Sequence, residues 1–511
     1  MTAHTSEFKS SFRTFTSPVN FCPDIFVPRE EVPAAVLAKE ATTSGWDSVN
    51  CIKIEIVNDV LKKSKSYPEY LKISMDAETG WEIDAKFGPW QIAPGGTGAI
   101  LMMKLPLTSS KMTYGVGELD IRNGYALISI KLRYIPQASV KGATATENSL
   151  TIEDLIADAQ ARSPDDPAVT IQKINYGSAN PTEEQAALYH ASFAYLLNQN
   201  LAAFQHVFAV VNLNQAAAKE EFQWLKPTYT SYAYFQGMDV AGSYFAILNQ
   251  VSGHSPEGLT NQVSSSAIPS GANASILLSN RLFLERMVLP GLTRAFTNAA
   301  SGDFTIPTTN DVIECNSEVD LDPVKVAATN YTPKMNYFRL QIVGDEVQIH
   351  TKVSIHISPG IDAYINSTYY YVLGLVDKPD GSQTLDFEQS SAPDITSWHE
   401  VASWVTYTEL VVALIGAVIG AVVGESIKEV TKKIIVVVII TVVAGVLAAI
   451  PAMIADIAAN GAAEALPPIG PMIDDAQSPV NWPESSGFEL LTAELNGSLQ
   501  FGGLLEQPPS S

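Results

Sequence analysis

Residues 409–424, ELVVALIGAVIGAVVG, and 434–455, IIVVVIITVVAGVLAAIPAMIA, decide the fold, because they decide which solvent the chain is built for. The second stretch is uncharged and reaches the length of a membrane span, about 20 residues. The first holds only about 13 apolar residues, short for a crossing. Gly416, Gly420 and Gly424 recur every fourth residue, which puts them on one helix face where another backbone can approach closely. Glu425, Lys428, Glu429, Lys432 and Lys433 separate the two stretches, and Pro451 interrupts the second. The alternatives are a membrane hairpin and a pair of helices buried all round inside a folded domain. The surrounding chain favours burial: it is patterned as strands with one dry face, and such a sheet needs a helix to cover it. Insertion into a membrane under particular conditions is retained as the lesser alternative, and a permanent span is not expected.

The strand pattern is clearest in MNYFRLQIVGDEVQIHTKVSIHI, residues 335–357. It reads as a hairpin turning at Gly344-Asp345. Val347, Ile349, Val353, Ile355 and Ile357 form the dry face, and Gln348, His350, Lys352, Ser354 and His356 the wet one. A further hairpin is expected at Pro379-Asp380-Gly381. Residues 70–136 also read as strands, with a hairpin predicted at Asn123-Gly124. Helices are predicted within GWDSVNCIKIEIVNDVLKKS (45–64), at Ile152–Gln160, from Thr182 to Ala203 behind a Thr182/Gln185 capping box, and from Ile276 to Phe296. Strand-like pieces close the chain at 487–503. Each half thus repeats one order of elements: helix, antiparallel strands, long helix, strands. The Ser/Gly/Pro-rich stretch 252–273 separates the halves. The expected organisation is an N-terminal arm (1–40), a first module (41–262) and a second module (263–511) containing the apolar segment 409–456.

Composition narrows the function. The net charge is −23, which repels phosphate backbones and argues against nucleic-acid binding. Three widely spaced cysteines, Cys22, Cys51 and Cys315, contain no CxxC and read as free thiols. The first twenty residues show no apolar core of a signal peptide, so a cytoplasmic or non-classically released soluble protein is expected, and the Asn-x-Ser/Thr triplets at Asn273, Asn330, Asn366 and Asn496 read as chance matches.

A search for catalytic constellations finds none. Gly253-His254-Ser255-Pro256-Glu257 imitates a nucleophile elbow but has Glu257 where the second glycine belongs. His399-Glu400 starts like a zinc-protease helix, yet Ser403 stands where the second histidine would be. Gly95-Gly96-Thr97-Gly98 lacks the lysine of a phosphate loop and reads as a hairpin turn. Glu318, Asp320 and Asp322 lack the glycine and glutamate of a calcium loop. No metal or cofactor is expected. What remains is apolar surface able to take up acyl chains at about 0.8 kcal/mol per buried methylene.

Several blocks together resemble one family: GWDSVN with IVNDVL, FGPWQIAPGGTGAILMMKLPL, FQWLKPTYTSYAYF, AIPSGANASILLSNRLFLERMVLPGL and FELLTAELNGSLQFGG. The set is similar to the tubular lipid-binding (TULIP) superfamily, and within it to the OrfX-type and forty-seven-kilodalton proteins encoded beside clostridial neurotoxins. The resemblance implies an α+β fold of two elongated modules, each a strongly curved antiparallel sheet wrapped around a long helix. It also implies a non-enzymatic lipid or hydrophobic-ligand binder, accessory to a toxin complex, that assembles with sister proteins of the same cluster. Trp46, Asp47, Trp90, Lys226 and Pro227 in these blocks read as architectural. Three functions stay open: lipid binding, a ligand-free assembly role, and conditional membrane insertion. For the first, the expected lining residues are Ile415, Val418, Ile419 and Val422 on the second module's helix.

Overall fold

In the computed structural model, residues 40–506 are described except 75–79, 116, 137–146, 153–166, 204–208, 213–219, 297, 301, 316, 407, 446–465, 478–479 and 483–484. The arm up to residue 39, the helix expected at Ile152–Gln160 and the apolar run beyond Gly445 lie outside the described residues, the run entirely and the helix from its second residue. The fold is mixed α+β and strand-rich.

Its centre is a six-stranded antiparallel sheet with a mirrored order. From one edge it runs Pro227–Phe235, Tyr244–Val251, Ser48–Lys53, Ala274–Ser279, Ser498–Glu506 and Gly487–Leu495. Two strands that each lead into a helix lie side by side, Ser48 opposite Leu278 and Ile52 opposite Ala274. Each is flanked by the second strand of a hairpin. Strands from both sides of residue 262 are therefore joined in one hydrogen-bonded sheet.

Two helices predicted from periodicity are shorter than expected, and for one reason. Residues 48–53 form a strand, and the helix spans Ile54–Ser64. Residues 274–279 likewise form a strand; helix begins at Asn280, behind the cap Ser279, whose hydroxyl accepts from the Leu282 amide, and continues through a π-turn at Leu284–Val288 to Ala295. Both strands are buried on both faces. A doubly buried strand has no alternation, and its apolar run merges with the helical pattern that follows. Lys62 and Lys63 close the first helix, where its dipole favours cations.

The Asn123-Gly124 hairpin is not formed. Strand Gly117–Pro136 runs straight through it, and the turn falls at Gly115 instead. Asn123 takes φ +56°, a local bend rather than a reversal. A Cβ at Gly124 would lie 2.4 Å from the Asn175 carbonyl oxygen, so the glycine admits a crossing segment. The hairpins at Gly344-Asp345, Pro379-Asp380-Gly381 and Gly98 form as expected. The Thr182/Gln185 capping box is complete at the head of helix Glu183–Gln199. Along Glu346–Ser358, Val347, Ile349, Val353, Ile355 and Ile357 are buried as predicted.

Two large cores flank the central sheet. One gathers Ile83, Leu101, Leu105, Ile128, Tyr189 and Phe193 from the first half. The other gathers Ile276, Leu282, Phe338, Ile349, Ile365 and the long helix from the second half. That helix is continuous from Glu409 to Ala444, with a π-turn at Val422–Ile427. It meets helix Leu289–Ala295 so closely that a Cβ on Gly291 would stand 2.1 Å from Val437 Cγ1.

Candidate functional site

The long helix divides into two physically different halves. From Ile434 to Val443 nearly every residue is buried, as a helix apolar all round requires. Its first half is different. Ile415, Val418 and Val422 are buried and Ile419 is half-buried against the same core, so these four face inward. None of the four cavities described for the chain is lined by them. The predicted lining residues thus belong to the second of the two cores. Their neighbours face solvent: Leu410 is 80% and Val412 45% exposed. Ala413, Gly416, Ala417, Gly420 and Gly424 are exposed as well. The glycines share one face, as their spacing predicts, but a Cβ on any of the three would meet nothing within 4 Å. Only 28% of the helix's most apolar 18 residues are buried, and by length and composition the helix could cross a membrane. Trp404, 70% exposed, precedes the helix, and its ring lies against Gly360 in the neighbouring strand turn.

The helix is held by polar contacts at its middle. Lys433 Nζ pairs with Asp322 at 2.7 Å, and the Ser426 hydroxyl donates to the Asp322 carbonyl at 3.3 Å. Asp322 therefore acts as an anchor. The helix N-terminus is capped by Thr408, whose hydroxyl accepts from the Val411 amide.

The elbow-like stretch at 253–257 contains a pairing that sequence inspection missed. Asp47, buried at the start of the central strand, accepts from the Val251 amide at 2.8 Å and contacts His254 Nδ1 at 2.9 Å. His254 Nε2 lies 3.8 Å from Glu285, which also binds Arg281. Burial raises the Asp47 carboxyl above its usual range, and the Val251 and His254 contacts oppose that rise. Among the described residues no nucleophile is bonded to the pair, and the Ser255 hydroxyl accepts from the Glu257 amide. The pair fastens strand, loop and helix together. Sequence distance hides it, since Asp47 and His254 are separated by 207 positions.

Other candidates are equally structural. His399-Glu400 lies in edge strand Asp394–Val401, not on a helix. Among the described residues, no group of three His, Cys, Asp or Glu could hold a metal ion. Trp46 and Trp90 are buried, and Pro227 opens a strand. A surface cleft lined by Lys86, Lys111 and Arg122 has two of these cations engaged, Lys111 with Glu118 and Arg122 with Asp120.

A cavity of about 250 Å³ lies at the seam between the two cores, beside the central strand pair. Ile276, Val480, Trp482, Phe488 and Leu505 wall it, Asn50 reaches it from the strand, and Asp474, Gln477, Ser485 and Ser486 supply further polar lining.

Comparison with known proteins places these features in a family. The family described as OrfX-like, Protein OrfX2/OrfX3/P47, matches residues 43–503. Protein OrfX3 of Paraclostridium bifermentans is 26% identical over 499 residues, covering 91% of this chain and 99% of that relative. Protein OrfX3 of Clostridium botulinum (strain Kyoto / Type A2) is 25% identical over 502 residues, with the same coverages of 91% and 99%. The structure of P47 from Clostridium botulinum A2 aligns with a TM-score of 0.62 at 19% identity, covering 91% of this chain and 98% of that one. At that identity the likeness speaks for the fold.

Proposed function

This chain belongs to the OrfX-like family, and from that premise we propose that it is a non-enzymatic protein that binds lipid or another hydrophobic ligand in the service of a toxin complex. The observation that carries this reading is the apolar surface around Trp404, Leu410 and Val412. Scattered apolar side chains are ordinary on protein surfaces, but a contiguous apolar helix face is costly unless something covers it. The helix satisfies its own backbone, so its outer face offers no hydrogen bonds and suits an acyl chain. In this reading the ligand lies on the outward face rather than over Ile415, Val418, Ile419 and Val422, which support it from within. We further read the chain as two TULIP-like modules joined at the mirrored central sheet, an architecture that would suit the same role. The toxin association is carried over from the family resemblance.

The test is co-flotation with neutral phosphatidylcholine vesicles. Wild-type protein is expected to float with the vesicles, and Leu410→Ser with Val412→Ser to lose most of that binding while keeping its melting temperature. Equal flotation of the variant would overturn the reading.

A second reading is an assembly partner for sister proteins. Edge strand Asp394–Val401 favours it: it is exposed as far as Glu400, and Trp398 stacks on Tyr364 with ring centroids 5.2 Å apart. An open strand edge can accept a strand from another chain. Co-expression with neighbouring gene products, followed by size-exclusion chromatography, separates this role from lipid binding.

A further inference from the structure

We infer that the seam cavity is a second binding site, selective for a small uncharged amphiphile with one apolar tail and an alcohol or amide head. Asn50 carries the inference. It stands in the middle of the central strand, paired through its backbone with Ile247 on one side and Ile276 on the other. Its side chain is 96% buried (4% exposed) and makes no hydrogen bond among the described residues. An amide carries two donors and two acceptor lone pairs, and here they open onto the cavity, where a guest can meet them. Asparagine is also a poor strand former, so neither packing nor propensity explains it there. The side chain reaches the cavity walled by Ile276, Val480, Trp482, Phe488 and Leu505. Apolar walls facing a few polar groups, here Asn50 with Asp474, Gln477, Ser485 and Ser486, are the usual form of a small-molecule site.

The charge of the lining selects the head group. Asp474 is the only charged residue among the described lining residues, and no lysine or arginine is among them. A carboxylate or phosphate would meet a like charge with no countercharge, whereas a neutral head can both donate to and accept from the Asn50 amide. The volume of about 250 Å³ equals roughly eight water molecules at ~30 Å³ each, the scale of a short alkyl chain. The site is separate from the outer face of the long helix and does not rest on the lipid reading.

The experiment is isothermal titration calorimetry of the full chain with 1-octanol, octanamide and octanoate. Saturable binding of octanol and octanamide at one site per chain is expected, with octanoate at least about tenfold weaker because its charge is desolvated beside Asp474. Asn50→Leu should weaken octanamide about tenfold, the cost of an unmet hydrogen bond on the ligand. Leu505→Trp, which fills the chamber from another wall, should abolish binding of both, and Asp474→Asn should narrow the gap to octanoate. Circular dichroism shows that each variant is folded. Absence of saturable binding, octanoate equal to octanol, or unaltered octanamide affinity in folded Asn50→Leu would overturn the proposal. Leu410→Ser with Val412→Ser must leave octanol binding unchanged; its loss there would place the ligand on the helix and overturn the seam site.

Discussion

At the scale of single residues, the informative positions are polar or reactive groups placed where water is absent. Asp47 keeps a carboxylate in a buried site, supported by the Val251 amide and His254. Its pKa is raised by desolvation, so the folded state holds the proton more tightly than the unfolded state does. Stability from this group is therefore present at low pH and is lost as pH rises through the raised folded value, in the range above 3.8. Asp47→Asn should flatten that part of the stability–pH curve. At neutral pH it should also cost about 1–3 kcal/mol through the weakened contacts to Val251 and His254. Urea melts of both proteins across pH measure both effects. Cys51 is the second case: burial pushes its thiol up to about 12. It should resist iodoacetamide in the native protein at mild alkaline pH and react fully once unfolded, as mass mapping of the alkylated peptide would show. Spacing alone identified Cys51 as a free thiol, but burial makes it inert.

At the scale of elements, length and neighbours override local pattern. The sequence shows two apolar stretches and reads them as a pair of buried helices; the structure joins them through the charged residues between into one helix, Glu409–Ala444, whose first half is exposed on one side. The sequence does not show which face turns inward. The apolar residues nearly encircle the first half, so periodicity offers no direction. Packing against Gly291 exemplifies what is missing: the need for a glycine there is visible only once Val437 lies over it. Gly291→Ala should destabilise the protein by about 1–3 kcal/mol, because the new methyl must displace a packed side chain. Thermal denaturation reads this directly, and Val437→Ala should partly rescue it. Asn123-Gly124 teaches the same lesson for turns: a pair suited to a tight reversal also suits a bend where another strand crosses.

At the scale of the molecule, the mirrored sheet makes the two halves dependent on one another. Ser48–Lys53 borrows one of its two partners from Ala274–Ser279, across the boundary read from composition. Trp482, from the far end of the chain, packs edge-on against Phe245 of the first half, with centroids 6.2 Å apart. A fragment of residues 41–262 alone would expose one edge of its central strand and the apolar face around Phe245. It is expected to aggregate or remain partly unfolded, and analytical ultracentrifugation with near-ultraviolet circular dichroism would show it. A soluble fragment with native near-ultraviolet signal would mean that the first core suffices.

Local order and composition account for the strand periodicity, the capping box, the turns at Gly344 and Gly381, and the resemblance that the family match bears out at the OrfX-like level. These signals survive because hydrogen-bond geometry and turn conformation act over a few residues. Which strands are buried on both faces, and which side of the long helix meets solvent, follow from tertiary packing. It alone brought Asp47 to His254, and Asn50 to a chamber completed by Trp482, Phe488 and Leu505. Those outcomes depend on contacts between residues hundreds of positions apart, and burial is a property of what arrives on the other side.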